Sequence, residues 1–312
     1  MRRFFLEINR RGPTVLALGC VLGLAAPYIA ETFRPLMPAM VFIFILGTFL
    51  RIDNSEVLNA IKNIKVSIIL PAILVFITPY IFGIGIYGFT ENQELSLAIA
   101  IAAAAPPASG NAAVARMLGL SPSISVVISL CSMAITPITA PFILYIFGDS
   151  LPLSINPLDL ATSLLLLICS AEGLAVLIRR FSHDLVSNHG TAIDGIVVTA
   201  LFIFAIGTMA GMQKIIMADP KNAFTLIAIA YGINLTSQII TGYLYPGPLT
   251  LKMTVALNAG NRNIGLMWSA LGTSLPPTMI LYFACCQLPI HTMPKILQFA
   301  LPRIRHIYRS KA

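Results

Sequence analysis

Ten long apolar stretches follow one another along the chain. They lie near 13–30, 36–51, 66–88, 94–118, 122–147, 157–178, 192–213, 222–245, 249–271 and 275–299, divided by short charged segments and by Pro and Gly. A bilayer-spanning helix needs roughly 20 apolar residues. The pattern therefore predicts an all-α integral membrane protein of ten transmembrane helices. Arg2, Arg3, Arg10 and Arg11 ahead of the first stretch also fit a secretory leader. With nine further spans behind it, a retained first helix is the expectation.

Composition narrows the class. Hydrophobic residues make up 57% of the 312 and charged residues 10%, against about 25% charged in a soluble domain. So few charges cannot cover a water-facing surface, which excludes a soluble enzyme, a disordered chain and a secreted disulfide scaffold. The net charge of +8 does not call for nucleic acid, because no zinc-finger spacing or basic recognition helix accompanies it. Its placement along the chain explains it. With ten crossings, Arg34, Lys214 and Lys221 fall on one side, Arg262 falls inside a span, and the remaining sixteen Lys and Arg fall on the other. The positive-inside rule then puts both termini in the cytoplasm, and a bacterial inner membrane is the expected location. The lipid bilayer is the expected partner, with no protein partner evident. Cys20, Cys131, Cys169, Cys285 and Cys286 all sit in apolar runs without a CxxC, so neither a disulfide framework nor a metal site is expected. No HExxH, Walker loop or Ser/His/Asp grouping occurs and loops are short, so an enzyme or sensor is not expected.

Two spans are interrupted. The fourth contains Ala105-Pro106-Pro107-Ala108-Ser109-Gly110-Asn111 and the ninth Leu257-Asn258-Ala259-Gly260-Asn261-Arg262-Asn263. Adjacent prolines remove helix donors. Three Asn and an Arg at membrane depth must face protein or a water-filled cavity. The two Gly-Asn pairs stand 150 residues apart, half the chain, which divides it into 1–150 and 151–312 within one domain. Broken helices at matching places in two halves mark a transporter site, and five spans per half require the halves to be inverted. Freed carbonyls suit a small cation, half-helix N-termini suit an anion, and Asn offers both donor and acceptor. Ser125, Ser129 and Ser132 share one face of the following span. Hydroxyls so spaced either line an ion site or bond back to the preceding turn.

These residues resemble the bile acid:sodium symporter family of the bile/arsenite/riboflavin transporter superfamily. The resemblance covers most of the chain and is sharpest over 103–141 and 254–270. It is carried by Ala108-Ser109-Gly110-Asn111, by Ser125 through Ser129 to Thr136-Pro137 and Ala140-Pro141, and by Asn258 through Leu266. The family implies two inverted five-helix repeats. A panel of spans 1, 2, 6 and 7 packs on a core of spans 3–5 and 8–10, in which broken helices 4 and 9 cross. It also implies two sodium sites. The first maps to Gly110, Asn111, Ser125, Ser129 and Asn258, where Asn258 replaces the family's Glu. The second maps to Asn258, Arg262 and Leu74, where Arg262 and Leu74 replace Gln. Arg cannot be deprotonated in proteins and repels sodium, so the second site is expected to be absent.

The reading is a secondary transporter moving a small organic anion by alternating access. Substrate would be bound by Ser109, Asn111, Asn261, Arg262 and Asn263. An eroded cation site would comprise Asn111, Ser125, Ser129 and Asn258, with sodium or protons as coupling ion. The alternative is a proton-coupled or uncoupled carrier or exchanger. Arg262 would stand as a permanent positive charge, bind the anion, or pair with Glu172 or Asp194. Glu172, in an apolar run, is the candidate proton carrier. His291 and Gln287 are weaker candidates for the cavity. An arsenite exporter would present a Cys at the first break, and no Cys lies between Cys20 and Cys131.

Overall fold

The computed structural model describes residues 12–51, 54–149, 151, 156–272 and 275–309. Among these, the secondary structure is helical apart from one isolated bridge. The principal helices are α1 (Gly12–Ala25), α2 (Pro27–Leu50), α3 (Lys65–Thr90), α4 (Gln93–Ala104), α5 (Asn111–Met117) and α6 (Pro122–Gly148). They continue as α7 (Pro157–Phe181), α8 (Gly190–Ala218, bent where Gly211 takes φ +81°), α9 (Pro220–Leu244), α10 (Leu249–Gly260), α11 (Ile264–Leu271) and α12 (Pro277–Arg309).

Six of these, α2, α3, α6, α7, α8 and α9, are long and apolar enough to cross a membrane. Four of the ten sequence stretches behave differently. The first yields the shorter apolar segment Thr14–Ala25. The fourth and ninth are each split into two helices by their breaks. In the tenth, α12 carries Gln287, His291 and three internal prolines, which lower its hydropathy. The helices start where the sequence allows. Pro122, Pro157, Pro220 and Pro277 take first positions, where the missing N–H costs nothing. Asn92, Asn156 and Asp219 cap α4, α7 and α9 by accepting from Leu95, Leu158 and Asn222 amides.

Two packing groups result. In one, α8 runs beside α1 and α2, and α7 packs on α2. Close approach is possible because Gly19 faces Phe202 and Ala205, Gly23 faces Ile206 and Met209, and Gly47 faces Val197. The other group pairs α9 with α10, α3 with α4, α6 with α4, and α12 with α9. The groups meet chiefly through α6 on α7 and α12 on α1.

Helix α3 is not regular. Lys65–Ile69 and Ile73–Ile77 are π turns, each ending just before a proline, Pro71 and Pro79. A proline ring clashes with the carbonyl four residues earlier, and widening the turn relieves the clash. Bonding five residues back is visible in Leu70 N to Lys65 O and Thr78 N to Ile73 O. The Thr78 hydroxyl also donates to Ile73 O, at 2.9 Å.

Candidate functional site

The two breaks meet. After α4 ends, Pro107 pairs with Arg262 as an isolated antiparallel bridge. Ala108 N donates to Asn261 O at 2.8 Å, and Asn263 N donates to Pro106 O at 2.7 Å. Each unwound segment thus takes up backbone groups that the other leaves without helical partners.

Around this joint the side chains from both breaks are buried and mutually bonded. Asn111 Nδ2 donates to Asn261 O at 3.0 Å and to Asn258 Oδ1 at 3.3 Å. Asn263 Nδ2 donates to Ser109 Oγ at 3.0 Å, while its Oδ1 caps α11 by accepting from Leu266 N at 3.1 Å. Asn261 Nδ2 reaches Ile290 O at 3.4 Å. That carbonyl is left over because Pro294, four residues on in α12, has no N–H. Asn261 Oδ1 accepts from Asn234 Nδ2 at 3.3 Å, and Gln238 Nε2 donates to Asn234 Oδ1 at 2.6 Å. Gly260 is required here, since a Cβ would lie 2.5 Å from Gln238 Cγ and 2.9 Å from Asn234 O.

The four sequence-predicted cation ligands come together on one atom. Asn258 Oδ1 accepts from Ser125 Oγ at 3.0 Å, Ser129 Oγ at 3.5 Å and Asn111 Nδ2 at 3.3 Å. An amide oxygen has two lone pairs, so the three donors share it, while the Ser125 and Ser129 hydroxyl oxygens keep lone pairs of their own. Asn258 Nδ2 is used as well, donating to Thr254 O at 2.8 Å. The oxygens gathered here are all neutral, and no carboxylate stands among them. Ser132 Oγ is buried with no hydrogen-bond partner among the described residues.

Arg262 is 6% exposed. Its Nε donates to Ala259 O at 2.8 Å and its Nη1 to Ala105 O at 3.3 Å, while Nη2 is buried and unpartnered. Neither candidate carboxylate is its counter-ion. Asp194 instead binds Arg51 Nε at 2.9 Å and Arg116 Nη1 at 3.4 Å. Glu172 is exposed on α7, off the buried stripe of Leu164, Ile168, Ala171 and Ala175. The physical reason is local: unwinding frees the Ala105 and Ala259 carbonyls, which stand closer than any acid among the described residues. His291 and Gln287 are buried within α12 and bond along it, Nδ1 of His291 to Gln287 O and Nε2 of Gln287 to Phe283 O.

Between the two packing groups lies a small cleft of about 40 Å³, lined by Thr48, Arg51 and Asp194 from one group and Ser109, Ala112, Ala113 and Arg116 from the other, among others. Thr48 Oγ1 stands 3.0 Å from Ser109 O across it and 2.8 Å from Phe44 O in its own helix, with one proton to share between them. Of the sequence-predicted substrate residues, Ser109 lines this cleft, with Asn263 bonded behind it. Asn111 and Asn261 lie inside the joint, and Arg262 lines a different cavity between α3 and α9. Sequence reasoning missed Thr48, Arg51 and Arg116 as cleft residues. It also missed Asn234 and Gln238, although two amides four residues apart in an apolar span are a signal of an internal partner.

Compared with known proteins, the chain matches no family model and no curated protein.

Proposed function

We propose that the protein is a secondary transporter that carries a small organic anion across a membrane by alternating access, with the two helix groups rocking against each other. The observation that carries this reading is the crossing of two interrupted helices, paired through Pro107 and Arg262. Irregular backbone at membrane depth is tolerated only where protein or a water-filled cavity surrounds it, and transporters place their sites there. The reading includes ten spans in two inverted repeats, a panel of α1, α2, α7 and α8, a core of the rest, cytoplasmic termini and an inner-membrane location, as in bile acid:sodium symporters.

The substrate would sit in the cleft at Ser109. Arg51 and Arg116 set two positive charges against the one negative charge of Asp194, and this surplus favours an anion. Thr48 and the Ser109 backbone carbonyl supply polar contacts once the cleft widens. The lack of a carboxylate among Asn111, Ser125, Ser129 and Asn258 favours an uncoupled carrier or exchanger over sodium symport.

The test is counterflow in proteoliposomes loaded with a short keto acid, a dicarboxylate or a steroidal carboxylate. Accumulation of the labelled anion against its unlabelled form, abolished in Arg116→Gln, supports the reading. Equal flux with empty liposomes for every anion class rejects it.

A further inference from the structure

A second cavity lies on the far side of the joint from the cleft. It is an apolar trough of about 590 Å³ between α3 and α9, two helices with little direct packing between them. That volume is within the range of small-molecule sites, about 300–1,000 Å³. One wall presents Ile69, Ile73, Ile77 and Ile81, the other Ile240 and Leu244, all of them exposed.

The wall depends on the π turns. Positions four apart in an α-helix drift by about 40° per step, so a stripe from 65 to 81 would wind nearly halfway round. Wider turns cancel that drift and keep every fourth residue from Lys65 to Ile81 in the trough. The stripe spans about 24 Å, enough for one extended acyl chain.

The trough is charged at both ends. Lys65 stands at one, with Tyr245 and Pro246 nearby. At the other, Arg262 lies with Phe82 and Ser237, which also line a smaller cavity with it. Arg262 has two backbone acceptors, one unpartnered buried nitrogen, and no carboxylate within ion-pair distance among the described residues. A buried cation of this kind is stabilised by an anion that brings no water with it.

We propose that this trough binds a single-chain amphiphile with one carboxylate, its head against the Arg262 guanidinium and its hydrocarbon chain along the isoleucine wall. A carboxylate matches the planar guanidinium. A single chain matches a channel with one cationic group at its inner end. A two-chain phospholipid would hold its phosphate at the membrane surface, by Lys65.

The experiment uses purified protein in a non-ionic detergent, with a diazirine-bearing hexadecanoic acid and the matching hexadecanol as photolabels. Labelled peptides are mapped by mass spectrometry. The acid is expected to label 65–82 and 237–246 at least tenfold more than the alcohol. Arg262→Gln should bring the acid down to the level of the alcohol, and Ile73→Trp with Ile240→Trp, both at exposed positions, should remove the labelling. Equal yields from acid and alcohol overturn the proposal, as does labelling that survives Arg262→Gln. Labelling that falls with Lys65→Gln but not with Arg262→Gln also overturns it and points to a phospholipid. Where Arg262→Gln does not fold, the acid-to-alcohol ratio and the tryptophan pair decide. No transport step is measured, so this outcome is independent of the transport reading.

Discussion

Asn263 holds Ser109 across the joint, amide nitrogen to hydroxyl, at 3.0 Å. The same Asn caps α11, so one side chain fixes both the start of a half-helix and the floor of the cleft. Asn263→Ala removes both roles, and a lost cap alone costs about 1 kcal/mol. Ser109→Ala removes only the partner. The two substitutions should be non-additive in thermal unfolding of the detergent-solubilised protein, because they share one bond. Strict additivity would show that the bond contributes nothing.

Asn258 gathers three donors where the family resemblance implies a carboxylate. Wild-type protein should therefore unfold at the same temperature in sodium and in potassium at equal ionic strength. Asn258→Glu surrounds a carboxylate with Ser125, Ser129 and Asn111 and should gain a sodium-specific rise, since an ion that binds only the folded state stabilises it. A sodium-specific rise in the wild type would reverse this account.

Asp194 joins Arg51 of one group to Arg116 of the other. The pairs are partly exposed, with side-chain exposures of 33% and 51% for the arginines and 20% for the aspartate. Asp194→Asn should thus change stability by less than about 1 kcal/mol. It should nevertheless open the cleft. A cysteine placed at Ala113, with Cys131 and Cys169 changed to Ser, should react with maleimide severalfold faster when Asp194 is Asn. Unchanged labelling would show that the ion pairs do not hold the groups together.

Glu172 lies on the exposed side of α7. Under the proposed transport function, Glu172→Gln should leave the rate of anion uptake, and its dependence on pH, within about twofold of wild type. A lost pH dependence would restore Glu172 as the proton carrier.

Much of the architecture was legible because breaks are written in strong punctuation. Pro106-Pro107 and Gly260-Asn261 interrupt apolar runs, and the helices stop there. Ser125 and Ser129 meet Asn258 because they share a helix face, which their spacing showed. The partner of Arg262 was not legible. Sequence offers only side chains as counter-ions, whereas the acceptors are the carbonyls of Ala105 and Ala259, which exist as acceptors only after unwinding. The cleft residues Arg51 and Arg116 read as positive-inside charges at span ends, and nothing in one sequence brings them to the same Asp194. The π turns follow from Pro71 and Pro79, eight residues apart in one helix, a spacing whose meaning emerges only when both turns widen.

The joint itself is made of amides and carbonyls. Ala108 N, Asn261 O, Asn263 N and Pro106 O hold it, and every residue type except proline offers the same two groups. That backbone pairing asks for no particular side chain at 262, yet the Arg262 guanidinium also takes up the Ala105 and Ala259 carbonyls, so exchanging it leaves two buried acceptors to be satisfied. The guanidinium is a second clasp laid over the same crossing.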